Sequence, residues 1–473
     1  MAVIRDSKGQ ALLLIAIVFV VFMDGLDASI VNIALPYITS SFAIDAGTAV
    51  WITMVYFMMM ASLLLIFGKL ADRGIIKKIL VAGLIIFSLF SLSCGLSNSF
   101  ETLLISRIFQ GIGAAIMGAC SPLLCVRFLP ENRLGIGLGV IAAGASIGYA
   151  SGPALGGILT EFLSWHWIFL INVPIGVAGI AFLLRALPQD EGYVRSYFDV
   201  PGSILLVTAT ITGIFALERS THLGLENIQI ISAVTICIVS VILFIIWEGR
   251  CEAPLLNLSI FRSSKFSPVF IAYFLINLVG TGKWYLIPFY LALIMGFDSA
   301  TSGMYMFIQA AITVIISVPI GRWSDHVGRR WFSVVSCLAM AISCAILIFI
   351  DPSMGLLPLI TVAILSGILW GFSGPAAGRI VEHVQEGEEG TGAALIAVSG
   401  YFGAAVGAAL FAALFSFISD SGNVPFTDLD PGTFMLGFHG VMLVGLVMAI
   451  VAVVLSAAVK DKCPPESSMV PAQ

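Results

Sequence analysis

The segment Met23–Pro36 reads MDGLDASIVNIALP and sets two carboxylates, Asp24 and Asp27, inside an apolar run from about Ala11 to Ile38. A bilayer core of ~30 Å needs about 20 helical residues, so this run is long enough to cross one. An ionised Asp at mid-membrane costs about 2.5 to 3.5 kcal/mol or more, which turns such residues toward a protein interior or a water-filled cavity. Three positions apart, Asp24 and Asp27 share one face of a helix. Acids that close do not titrate independently, so the pair reads as a proton-coupling site. The other reading is a salt-bridged structural pair that never binds a proton.

Composition carries the same message along the whole chain. Of 473 residues 59% are hydrophobic and only 10% charged, and the mean hydropathy is +1.07. These values place the chain among polytopic membrane proteins. A net charge of -5 argues against nucleic acid as a partner, which requires a clustered basic surface. The 8 cysteines are scattered, and no spacing among them implies a metal site or a disulfide framework. No nucleotide loop, nucleophile triad or metal-ligand cluster is present, so neither an enzyme nor a cofactor is expected.

Fourteen apolar segments follow one another between short polar turns. With the N-terminus inside, every one of the 22 Lys and Arg residues falls on an inner segment except Arg219, Arg107 and Lys283. That bias supports an even number of spans with both termini cytoplasmic. Arg107 and Lys283 lie within apolar runs. Counted by depth, Lys283 is nearly level with Asp27, so it is expected to pair with Asp27 or Asp24 across the molecule. Binding of an anionic substrate group and snorkelling to the surface are the alternatives.

The chain also repeats itself. GKLADRGIIKK (Gly68–Lys78) follows the second run and GRWSDHVGRR (Gly321–Arg330) the tenth. Each has a small residue, an acid four positions on and then a basic cluster. Duplication of this kind marks transporters built from related halves. It divides the chain into 1–190, an inserted helix pair at 191–265, and 266–473. Gly68, Asp72 and Arg73 of the first loop and Gly321, Asp325, Gly328, Arg329 and Arg330 of the second are the candidate gate on the inner side. There the acid can pair with Arg or cap a neighbouring helix. In the fifth run, GVIAAGASIGYASGPALGG from Gly139 places Gly144, Gly148, Gly152 and Gly156 four apart, beside Pro153 and Gly157. Such a strip lets another helix backbone approach closely.

The two loops resemble the signature of the major facilitator superfamily. In the first copy Gly74 stands one place early, and Ile75 and Ile76 occupy the expected places of a Gly and a basic residue. ISRIFQGIGAA (Ile105–Ala115) is similar to the family's membrane-embedded arginine motif, and Arg107 is the residue carried over. The glycine strip resembles the family's antiporter motif. LDASIVNIALP (Leu26–Pro36), WHWIFLINVPIG (Trp165–Gly176) and FDVPG (Phe198–Gly202) resemble segments of its fourteen-helix drug:proton antiporters.

The resemblance implies an all-α membrane protein of two pseudo-symmetric six-helix bundles plus two inserted helices. It also implies a proton-coupled exporter of drug-like or amphipathic small molecules, working by alternating access as a monomer in a prokaryotic cytoplasmic membrane. An exporter or symporter for one native metabolite, lipid or peptide is the alternative. By analogy the first and fourth helix of each half line the cavity, with Gln110, Asn277, Trp284, Tyr285 and Trp370 as its substrate-facing residues.

Overall fold

Within a bilayer core each backbone N–H and C=O must be satisfied inside the segment itself, so the apolar runs close into helices. The computed structural model describes residues 4, 6–44, 46–71, 73–190, 198–223, 226–251, 254–297, 299–384, 389–420 and 429–461. It contains fourteen helices long and apolar enough to cross a membrane. In order they are α1 (Ser7–Phe42), α2 (Ala46–Ala71), α3 (Ile76–Gly95), α4 (Phe100–Phe128), α5 (Leu134–Phe162), α6 (Trp167–Ala186), α7 (Val200–Leu223), α8 (Ile228–Glu248), α9 (Phe266–Ile294), α10 (Ser299–Val327), α11 (Arg330–Ile348), α12 (Leu357–Glu382), α13 (Glu389–Ile418) and α14 (Pro431–Ala458). The chain is therefore a multi-pass membrane protein of all-α class. No strand occurs among the described residues.

Local sequence sets the irregularities. Pro288 supplies no N–H to the ladder of α9, and the helix widens into a π turn over Tyr290–Ile294. Ser99 caps α4 by accepting from the Thr102 N–H at 3.2 Å, and Asp430 caps α14 from Thr433 at 2.9 Å. The two repeated loops turn on glycines in the left-handed region, Gly74 at φ 88° and Gly328 at φ 100°. Side chains with a Cβ rarely adopt that conformation. Gly74 thus makes the same turn as Gly328 despite standing one place early.

The packing repeats as the sequence does. In the first half α1 lies on α5, α2 on α4 and α3 on α6; in the second, α9 lies on α13, α10 on α12 and α11 on α14. The halves meet where α5 crosses α10 and where α2 crosses α13. Helices α7 and α8 pair with each other, and α7 covers the seam between α2 and α13. Asp199 ties this pair together, accepting from Trp247 Nε1 at 2.7 Å and from the Gly202 N–H at 2.9 Å.

Candidate functional site: two acids with separate partners

Asp24 and Asp27 are both buried, at 7% and 0% exposure, and their surroundings differ. Asp27 points into the first half. Its Oδ2 accepts from Arg107 Nη1 at 2.7 Å, and its Oδ1 accepts from Gln110 Nε2 at 3.0 Å and Asn172 Nδ2 at 2.9 Å. Gln110 also donates to Ser91 Oγ at 2.7 Å and accepts from Arg107 at 2.8 Å. Arg107 is fully buried, donates through Nε to the Ile52 carbonyl at 3.0 Å and lies over the Tyr56 ring at 4.1 Å. A desolvated cation over an aromatic face adds about 2 kcal/mol. Asp27 is therefore a neutralised ion pair inside a network from α1, α2, α3, α4 and α6.

Asp24 faces the junction of the halves. Its Oδ1 accepts from the Tyr56 hydroxyl at 3.2 Å, and its Oδ2 accepts from the Tyr401 hydroxyl of α13 at 2.7 Å. Tyr56 consequently links the surroundings of the two acids, with its hydroxyl on Asp24 and its ring against the guanidinium that holds Asp27.

Lys283 does not form the expected link to either acid. Its ammonium donates to Ser343 Oγ at 2.5 Å and Ser366 Oγ at 2.8 Å, because its side chain turns into the second half, toward α11 and α12. The arrangement mirrors that of Asp27. The opening helix of each half carries a buried charge, reached by groups on its fourth helix (Gln110, Ser366) and backed by a serine on its third (Ser91, Ser343). The two halves set opposite charges at corresponding places.

The expected substrate residues divide. Gln110 is fully buried and belongs to the Asp27 network instead. Asn277 is buried and donates to the carbonyl of Tyr273 on its own helix at 2.8 Å. Trp370 packs on α9, where a Cβ at Gly280 would lie 3.0 Å from its ring. Trp284 is half-buried against the core, and Tyr285 is exposed with its ring 5.7 Å from Phe289.

The glycine strip of α5 lies against the acid-bearing turns of α1. A Cβ at Gly144 would sit 2.7 Å from Val21 Cγ2; at Gly148, 2.9 Å from the Leu26 nitrogen; at Gly152, 2.9 Å from the Ile30 nitrogen and on top of Ser29 Oγ. Gly25 on α1 reciprocates, since a Cβ there would lie 2.6 Å from the Ala145 carbonyl oxygen. Gly156 is buried, whereas Gly157 meets nothing within 4 Å and is not part of the contact. The side chain of Pro153 lies outside the described residues. Gly152→Leu should reduce transport by on the order of tenfold or more, since overpacking costs about 1–3 kcal/mol. Gly157→Leu should leave it near wild type. Equal transport by the two variants at equal membrane insertion would disprove the contact's importance.

At the end of the bundle rich in Lys and Arg, the second repeated loop latches onto the first half. Asp325 accepts from the backbone N–H groups of Gly135 at 2.9 Å and Ile136 at 3.3 Å, at the start of α5. A carboxylate there complements the helix dipole. Arg329 donates to Asp325 at 2.8 Å and pairs with Glu382. Burial works against the charge on Arg329, but Glu382 and Asp325 outweigh it and hold its pKa above the ordinary value. Gly328 and Arg330 sit beside Asp461, which accepts from the backbone N–H groups of Arg329 and Arg330 at 2.9 and 2.8 Å. Gly321 approaches the Gly135 carbonyl so closely that no Cβ fits. In the first loop Arg73 is buried over the Phe198 ring at 5.2 Å, Gly68 is buried, and Asp72 lies outside the described residues.

Asp325→Ala should open this end. The buried Ser317, whose carbonyl lies 2.5 Å from where a Cβ on Gly139 would be, reports on it. Maleimide labelling of Ser317→Cys should accelerate on the order of tenfold, as expected for losing about 1–2 kcal/mol of capping and pairing. An unchanged rate would show that Asp325 does not hold the end closed.

Sequence reasoning missed Tyr56, Tyr401, Ser91, Ser343 and Ser366, none of which stands in a motif. Asn172 lies inside the quoted WHWIFLINVPIG stretch and was within reach.

Comparison with known proteins places this arrangement. The profile described as Major Facilitator Superfamily matches residues 17–250 and 269–472. The riboflavin transporter RibZ of Clostridioides difficile (strain 630) is 30% identical over 420 residues, covering 86% of this chain and 89% of that protein. The putative multidrug resistance protein MdtD of Pectobacterium atrosepticum is 31% identical over 331 residues, covering 70% and 71%. The crystal structure of the human organic anion transporter MFSD10 (TETRAN) has the same fold, with a TM-score of 0.67 at 15% identity over 94% of this chain and 99% of that one. The chain is a transporter and not an enzyme, with its acid pair, its helix-packing strip and its interlocking loops all set at the joints between helices. It belongs to the Major Facilitator Superfamily.

Proposed function

We propose that the chain is a proton-coupled antiporter that exports drug-like or amphipathic small molecules by alternating access. It works as a monomer in the cytoplasmic membrane of a prokaryote, with both termini on the cytoplasmic side. The observation that carries this reading is Asp24, a buried carboxyl at the seam between the halves, held by one hydroxyl from each. Its charge is not taken up by Arg107, which is engaged with Asp27. A carboxyl so placed can take a proton from one side and give it up on the other as the halves rock. The Asp325 and Arg329 latch then holds the cytoplasmic end shut in one state, while the half-buried Trp284 and the exposed Tyr285 on α9 offer aromatic surface, which suits amphipathic ligands. The similarity to MdtD, a putative multidrug resistance protein, supports this reading.

A second reading, a carrier dedicated to one native metabolite, is favoured by the match to a riboflavin transporter over more of the chain than the MdtD match spans. Proteoliposomes with an imposed pH gradient and a panel of amphipathic compounds, riboflavin included, separate the two. Gradient-driven movement of several unrelated compounds is expected. Movement of a single compound would favour the second reading, and gradient-independent movement would overturn proton coupling.

A further inference from the structure

We propose that Tyr401 is the positioning residue through which the second half reads the charge on Asp24. This rests on the antiport reading and adds the group that links proton binding to movement. Tyr401 lies on α13, and its hydroxyl donates to Asp24 Oδ2 on α1 at 2.7 Å, so this hydrogen bond crosses from one half to the other within the span. Its ring is clamped by α4, where a Cβ at Gly118 would fall 2.6 Å from Cε2. The phenol is thus aimed by packing, and only its oxygen responds to the acid.

An ionised Asp24 accepts from Tyr56 and Tyr401 together, and bonds to a charged acceptor are about twice as strong as neutral ones. A proton on Asp24 removes the charge and replaces an acceptor position by a donor. The bond to Tyr56 lies within one half and has no bearing on how the halves sit. The bond to Tyr401 does, so adding a proton loosens the halves at this point. The charged and titratable groups around Asp24 are Asp27 on its own helix, Tyr56 on α2, Arg107 on α4 and Tyr149 on α5, with Tyr273 on α9 next to Tyr401. Arg107 is bound to Asp27, and Tyr401 is the group among these that bonds Asp24 from the second half.

The test is substrate-free. Spin labels at Asn98 and Ser353, exposed positions at corresponding turns of the two halves, report their separation in purified protein between pH of about 5 and about 8, a range in which buried carboxyls can titrate. The wild-type distance distribution should change over this range, with the balance of states shifting on the order of ten- to hundredfold, as expected for a bond to a charged group. Tyr401→Phe keeps the ring that packs on Gly118 and should abolish the pH response. Asp24→Asn should do the same, and the double variant should add nothing further. A Tyr401→Phe protein that moves with pH as far as wild type, or a wild type that does not move, overturns the proposal. The antiport reading fails separately: if no compound moves with the gradient while the pH response still depends on Tyr401, the clamp stands and the assigned transport does not.

Discussion

Asp24→Asn is expected to abolish export driven by a pH gradient while substrate binding and passive exchange stay near wild type. Asn keeps the size of the side chain and can still hydrogen-bond both hydroxyls, its amide oxygen accepting from one and its NH2 donating to the other in place of the two carboxylate oxygens that Tyr56 and Tyr401 meet, but it cannot bind and release a proton. The loss should be complete within the background of empty vesicles, because among the described residues no other carboxyl is held by a hydroxyl from each half. Counterflow of labelled substrate, which needs no gradient, checks that the variant still binds and exchanges. Gradient-driven export at the wild-type rate would move the coupling site elsewhere.

Changes at Asp27 should act on the folded protein first. Asp27→Asn leaves the guanidinium of Arg107 buried without its counter-charge, at 0% exposure for both side chains. Breaking a buried pair on one side costs about 3–5 kcal/mol. Thermal unfolding in detergent should show a large loss of stability for Asp27→Asn, and most purified protein should be aggregated. Asp27→Asn combined with Arg107→Met should recover much of that loss, because no charge is then left unpaired. Additive losses in the double variant would show that the pair is not the unit the structure describes. The sequence gives no ground for this difference between the acids, and on the residues alone Asp27 is as good a coupling site as Asp24.

The reason lies in helix geometry. At 3.6 residues per turn, positions three apart sit about 60° from one another around the axis. They share a face but meet different neighbours. Asp27 turns into the first half, where Arg107 and Gln110 stand three apart on α4, and Asp24 turns to the seam. Lys283 illustrates the same limit. Its depth in the membrane can be counted along the chain, but its direction around α9 cannot, and it points into its own half rather than toward the acids.

What was legible depended on periodic or local features. Fourteen helices follow from apolar length, the α5 strip from four-residue spacing, and the latch from an acid and a basic cluster placed twice at matching turns. Gly152 and Gly148 meet α1 as the spacing implies, and Asp325 takes both foreseen roles, capping a neighbouring helix and pairing with an Arg. Tyr56 and Tyr401 were not legible. Each is an ordinary aromatic in an apolar run, and its significance comes from a contact across 32 or 377 positions that no local pattern encodes.

The most direct test of the split between the acids is infrared difference spectroscopy of the purified protein between low and high pH, following the C=O stretch of buried carboxylic acids. Wild-type protein is predicted to show a band that appears as pH falls, and Asp24→Asn to lack it. Identical difference spectra for wild type and Asp24→Asn would mean that Asp24 does not take up a proton and would contradict the account.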